Sequence, residues 1–131
     1  MQIREHAETT PGKPAVVVYP SGTVVSFGEM EARANQLAHL FRRHGLNEGD
    51  AVAILMENNA AYHTVMWAAR RAGLYYVPIN THLTAAEAAY IIGNSAAKAI
   101  VGSAALRPVL EHLPDLPALR IIVGGELDDW L

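Results

Sequence analysis

The chain has no cysteine, so neither a disulfide nor a thiolate metal site can be built from it. That absence suits a reducing compartment without requiring one. It also has no excess of positive charge: 10 Lys and Arg stand against 13 Asp and Glu, a net charge of −3. A nucleic-acid backbone would find no basic stripe to follow, and nucleic acid is set aside as the main partner. Long hydrophobic runs are missing too. Each apolar stretch is interrupted within a few residues by Glu57, Arg70, Arg71 or Pro78. None approaches the roughly 20 residues that a membrane-spanning helix needs. The opening, Met1 to His6, has no apolar segment of the secretory kind. The expectation is a soluble protein of the cytoplasm.

What is present is enough to build a core. Of 131 residues, 51% are hydrophobic and 18% charged, which is the composition of a folded domain and fits one domain by length.

Two β-type runs, 15–19 and 23–27, flank Pro20-Ser21-Gly22, a turn tripeptide, and predict a hairpin. Ser26-Phe27-Gly28-Glu29 has the form of a capping box. Behind it Phe27, Met30, Ala34, Leu37, Ala38 and Phe41 recur at helical spacing, and Gly45 marks the stop. From residue 51 the rhythm changes. Ala51 to Met56 is continuously apolar, as a strand covered on both faces should be. A helix capped by Asn58 or Asn59 then runs to Gly73, followed by a strand over 74–79 whose pairing should end at Pro78. Thr84-Ala85-Ala86-Glu87 is a second capping box, for a helix ending at Gly93. Strands are expected at 98–102 and 120–123. Between them Ser103 is read as a helix cap, with Pro108 in the first turn or at a kink. This alternation predicts an α/β fold: an N-terminal β-hairpin and long helix, then a parallel sheet flanked by helices on both faces.

The residues alone yield no chemistry. His39 and His44 are five apart on one helix, about 140° around its axis, and cannot share a metal. No nucleophile elbow of the Gly-x-Ser-x-Gly kind occurs. Ser21-Gly22-Thr23 lacks the further glycines and the lysine of a phosphate loop and reads as a turn. Gly124-Gly125 stands after the last strand, but Glu126, Asp128 and Asp129 would repel a phosphate there.

The stretch Ala69 to Asn80 closely resembles the Ala-x-x-x-Gly-x-x-x-Val-Pro-Ile/Leu-Asn/Asp segment of the adenylate-forming (AMP-binding) superfamily: acyl-CoA ligases, luciferases and peptide-synthetase adenylation domains. In register with it, Thr10 to Ala15 resembles that family's Thr-Pro-x-Lys/Arg-Pro-Ala start. Thr23 to Met30 resembles the approach to its first long helix, and Gly49 to Asn58 its Gly-Asp-x-Val-Ala segment. Asn80, where amino-acid adenylation domains have Asp, leans toward acyl-CoA ligases.

The resemblance makes residues 1–131 the N-terminal portion of an AMP-binding domain. It implies that the full-length protein activates a carboxylic acid, chiefly a fatty acid, with ATP and Mg2+ and passes the acyl group to coenzyme A. The family's phosphate loop, magnesium-binding glutamate and catalytic lysine match nothing here. No catalytic or metal residue is therefore expected, and the chain alone should be inactive and prone to self-association. Two positions correspond to family contacts with the 3′-phosphate of coenzyme A. These are His82, where Arg is the usual occupant, and Arg107. Alternatives left open are an adenylation domain that loads an amino or aryl acid onto a carrier protein, and a non-catalytic α/β binding module.

Overall fold

In the computed structural model, residues 3–18, 23–57, 60–113, 117 and 119–123 are described. The turn at Pro20 to Gly22, the caps at Asn58 and Asn59, and Gly124-Gly125 lie outside them. A short helix α1 (Ile3–Thr9) opens the chain, and β1 (Pro14–Val18) pairs antiparallel with β2 (Thr23–Ser26), as the paired β-type runs predict. Helix α2 (Phe27–Arg43) starts where its cap predicts: Ser26 Oγ accepts from the Glu29 N–H at 3.2 Å. Its apolar stripe, Met30, Ala34, Leu37 and Phe41, is fully buried.

The main sheet holds β3 (Ala51–Leu55), β4 (Tyr75–Pro78), β5 (Ala99–Ser103) and β6 (Leu119–Val123) in the order β4-β3-β5-β6. All three pairings are parallel. Helix α3 (Ala60–Arg71) crosses from β3 to β4, and α4 (Ala85–Asn94) crosses from β4 to β5. The one-turn helix α5 (Arg107–Leu110) precedes β6. Alternation along β3 divides its side chains between two cores, which explains its unbroken apolar run. Val52 and Ile54 pack with Leu37 and Phe41 of α2 and with Val65 and Ala68 of α3. Ala53 and Leu55 pack with Ala88 and Ile92 of α4 and Leu110 of α5.

The helix ends follow their glycines in two cases of three. Gly45 and Gly73 take positive φ, 85° and 75°, just past α2 and α3. Gly93 does not stop α4. The helix runs on to Asn94, and Ala96 takes the left-handed turn at φ 54°. At its start the predicted box closes in both directions, Glu87 N–H to Thr84 Oγ1 and Thr84 N–H to Glu87 Oε1. Strand β4 ends at Pro78, as expected of a residue with no N–H for the ladder, and Ile79 donates the last bond, 2.9 Å to the Ile54 carbonyl.

Candidate functional site at the carboxyl edge of the sheet

Because the four strands are parallel, their carboxyl ends share one edge, and the segments leaving them are placed side by side. Each expected contact residue sits on such a segment. His82 lies in the turn after β4, held by its backbone: Asn80 Oδ1 accepts from the His82 N–H at 2.9 Å. An Asp at 80 would accept the same bond, so this turn does not itself require Asn. The capping box of α4 follows within two residues and fixes the other side of the turn. The His82 side chain is exposed.

Arg107 opens α5. Its carbonyl accepts from the Glu111 N–H at 2.9 Å, and Pro108 occupies the first turn, where its missing N–H costs nothing. The Arg107 side chain is exposed. Among the described residues neither side chain is taken up by an ion pair. The structure brings both to one edge but not into contact. They leave strands separated by β3, hence about 10 Å apart at the strand ends from the ladder spacing.

Between them lies a pair that reading the sequence did not find. Ser103 is not a side-chain cap: its hydroxyl makes no capping bond and instead donates to Glu57 Oε2. Glu57 follows β3 and Ser103 ends β5, 46 residues later. The local signal, a Ser before a helical segment, pointed to the wrong partner. Glu57 showed only as a break in an apolar run.

Elsewhere the chemistry is sparse. Among the described residues no three His, Cys, Asp or Glu gather as a metal would need. No described helix is long and apolar enough to cross a membrane. A hollow of about 400 Å³ between His44, Leu46, Lys98 and Leu119 lies at the opposite, amino edge. Its Lys98 is already paired with Asp50 at 3.2 Å.

A parallel sheet with helices on both faces, and polar segments at its carboxyl edge, defines the class of open α/β ligand-binding domains. Residues 3–130 match the AMP-binding enzymes, and the chain belongs to that family, corresponding to its N-terminal region. It is 30% identical over 121 residues to the fatty acid–[acyl-carrier-protein] ligase ScoC of Streptomyces coeruleorubidus, covering 92% of this chain and 23% of that protein. It is also 30% identical over 129 residues to the long-chain-fatty-acid–CoA ligase FadD13 of Mycobacterium tuberculosis, covering 98% and 25%. The crystal structure of the N-terminal domain of FACL13 from Mycobacterium tuberculosis superposes with a TM-score of 0.82 at 28% identity, over 92% of this chain and 32% of that one. The chain thus spans about a quarter of the length of these curated relatives.

Proposed function

We propose that this chain is the N-terminal portion of a cytoplasmic AMP-forming acid–CoA ligase, acting on a carboxylic acid of the fatty class. In the first half-reaction a carboxylate oxygen of the acid attacks the α-phosphorus of ATP and pyrophosphate leaves. In the second, the coenzyme A thiol gives up its proton, its sulfur bonds to the acyl carbon, and AMP departs with the electrons of the broken bond. Magnesium, where bound, would supply charge neutralisation on the triphosphate in the first step. Among the described residues no acid cluster gathers to hold that ion. This chain's contribution to that step is scaffold.

Its direct contribution falls in the second step. The observation that carries the reading is that two exposed nitrogen-bearing side chains, His82 and Arg107, leave the one edge where such sheets hold ligands. Arg107 suits the 3′-phosphate of coenzyme A, since a guanidinium donates two parallel bonds to phosphate oxygens. His82 offers an imidazole N–H donor, a weaker phosphate partner than the bidentate guanidinium.

A carrier-protein thiol is the competing acceptor, favoured by the likeness to ScoC. The test is made on the protein in which this chain continues to its relatives' length. Acids of graded chain length are screened by acid-dependent ATP–pyrophosphate exchange, and the active ones are then offered coenzyme A or a phosphopantetheinylated carrier protein. Thioester formed with coenzyme A supports the proposal. Thioester on the carrier protein alone moves the assignment to that branch, and no exchange with any acid leaves a non-catalytic module.

A further inference from the structure

Strands β3 and β5 are neighbours with Leu55 opposite Gly102, so Glu57, two residues past Leu55, and Ser103, one past Gly102, meet across the end of the ladder. The ladder does not need their bond. It ties Ser103, 3% exposed, to the segment leaving β3 at the residue where the chain turns into a 3-10 stretch, Ala104–Leu106, that delivers Arg107. A second anchor lies beyond Arg107. Leu110 packs so closely over Gly102 that a Cβ there would stand 2.5 Å from Leu110 Cδ1. The turn carrying Arg107 is therefore pinned on one side by a hydrogen bond and on the other by packing, while its guanidinium is left exposed.

We propose that Glu57, acting through Ser103, is a positioning residue for Arg107 in the transfer of the acyl group to coenzyme A. It fixes the 104–107 turn so that the guanidinium is presented at the coenzyme's nucleotide phosphate without first having to be ordered. The inference rests on the reading of Arg107 given above. It differs from a purely structural role in what it moves. A structural bond, once lost, weakens both half-reactions together, whereas a positioning bond raises the coenzyme A requirement and leaves adenylation alone.

The experiment uses the full-length protein and measures the KM for coenzyme A in thioester formation, ATP–pyrophosphate exchange and the thermal midpoint. The variants are Ser103→Ala, Glu57→Gln, Arg107→Ala and the Ser103→Ala/Arg107→Ala double. Ser103→Ala is expected to raise the KM roughly five- to tenfold, with exchange within about twofold of the unaltered protein. Glu57→Gln keeps an acceptor oxygen for the Ser103 hydroxyl and stays within about twofold on the KM. The double variant is no worse than Arg107→Ala alone, because the anchor then has nothing to position. The proposal is overturned if Ser103→Ala leaves the KM unchanged while Arg107→Ala raises it. It is equally overturned if the two effects multiply in full, or if Ser103→Ala lowers exchange, thioester formation and the thermal midpoint together. An Arg107→Ala variant with an ordinary KM instead removes the reading of Arg107, and the positioning role falls with it.

Discussion

Leu110 occupies the space that a side chain on Gly102 would need, with Cδ1 at 2.5 Å and Cδ2 at 3.0 Å from a Cβ built there. Gly102 sits in β5, paired with Leu55 on one side and Ile122 on the other, so its backbone cannot retreat. Leu110 must give way instead. Gly102→Ala should destabilise the fold by about 1–3 kcal/mol, the range for overpacking a core. Adding Leu110→Ala should recover part of that loss, making the pair less than additive in urea denaturation. Full additivity would show that the two residues do not compete for one space.

Helices α2 and α3 are clasped by three side chains. Arg71 Nη2 lies 2.9 Å from Glu31 Oε2, Arg71 Nη1 donates to Asn35 Oδ1 at 2.8 Å, and Asn35 Nδ2 donates to Glu31 Oε1 at 3.3 Å. Glu31 Oε2 is buried and lacks a hydrogen bond of good geometry, so the nearby guanidinium is its compensation. Arg71→Ala should cost about 1–2 kcal/mol, between the values for exposed and for buried ion pairs. Glu31→Gln in the same chain should restore part of it. An unchanged denaturation midpoint for Arg71→Ala would assign the clasp to the solvated surface.

Two carboxylates contribute to the acid limb of stability. The Asn47 backbone N–H, donating at 2.7 Å, and then the Lys98 ammonium hold Asp50 below its usual range. The capping-box bonds from Thr84 do the same for Glu87. A depressed folded-state value means that the unfolded chain takes up the proton first. The stabilisation is whole above the ordinary carboxylate range, about pH 4, and is lost as pH falls through the depressed values. Asp50→Asn with Glu87→Gln should flatten that limb and leave the neutral-pH slope alone. A limb of unchanged steepness in thermal scans across acid pH would contradict this.

The elements that were legible in the sequence are those whose cause is local. The Thr84 box, the α2 stripe, Pro78 at the end of β4 and the unbroken apolar run of β3 each carry their reason within a few residues. What could not be read depends on distant partners. Helix α1 is seven residues of mixed charge with little periodicity, and it is placed by His6 stacking on Phe27 with ring centroids 4.6 Å apart. Ser103 resembles a cap in its own stretch of chain, and only the pairing of β3 with β5 brings Glu57 to it. The candidate contacts His82 and Arg107 rest on the family resemblance alone, because an exposed polar side chain on a loop has no pattern of its own.

Strand β4 forms one edge of the sheet, with Tyr75 70% and Tyr76 38% exposed, and Tyr90 on α4 is 73% exposed. An open edge beside uncovered aromatic surface favours association between chains. The 131-residue chain on its own should therefore self-associate, and Tyr75→Lys with Tyr90→Lys should shift light scattering toward monomer. A monomer of unchanged mass across a wide concentration range would sink the expectation.

The same 131 residues should show no acid-dependent ATP–pyrophosphate exchange, since no described acid cluster or lysine-bearing phosphate loop organises a triphosphate. Exchange by the purified chain would reassign the adenylation chemistry to residues within it.

The most direct test of the central claim separates the two half-reactions in the full-length protein carrying Arg107→Ala. Loss of one charge-assisted phosphate contact is worth roughly 1.5–3 kcal/mol, so the coenzyme A requirement should rise by about ten- to a hundredfold while pyrophosphate exchange stays nearly constant. His82→Ala should do the same more weakly, since an imidazole makes a single N–H contact where the guanidinium makes two. Equal losses in both half-reactions, or no loss in either, would contradict the placing of the coenzyme's nucleotide at this edge of the sheet.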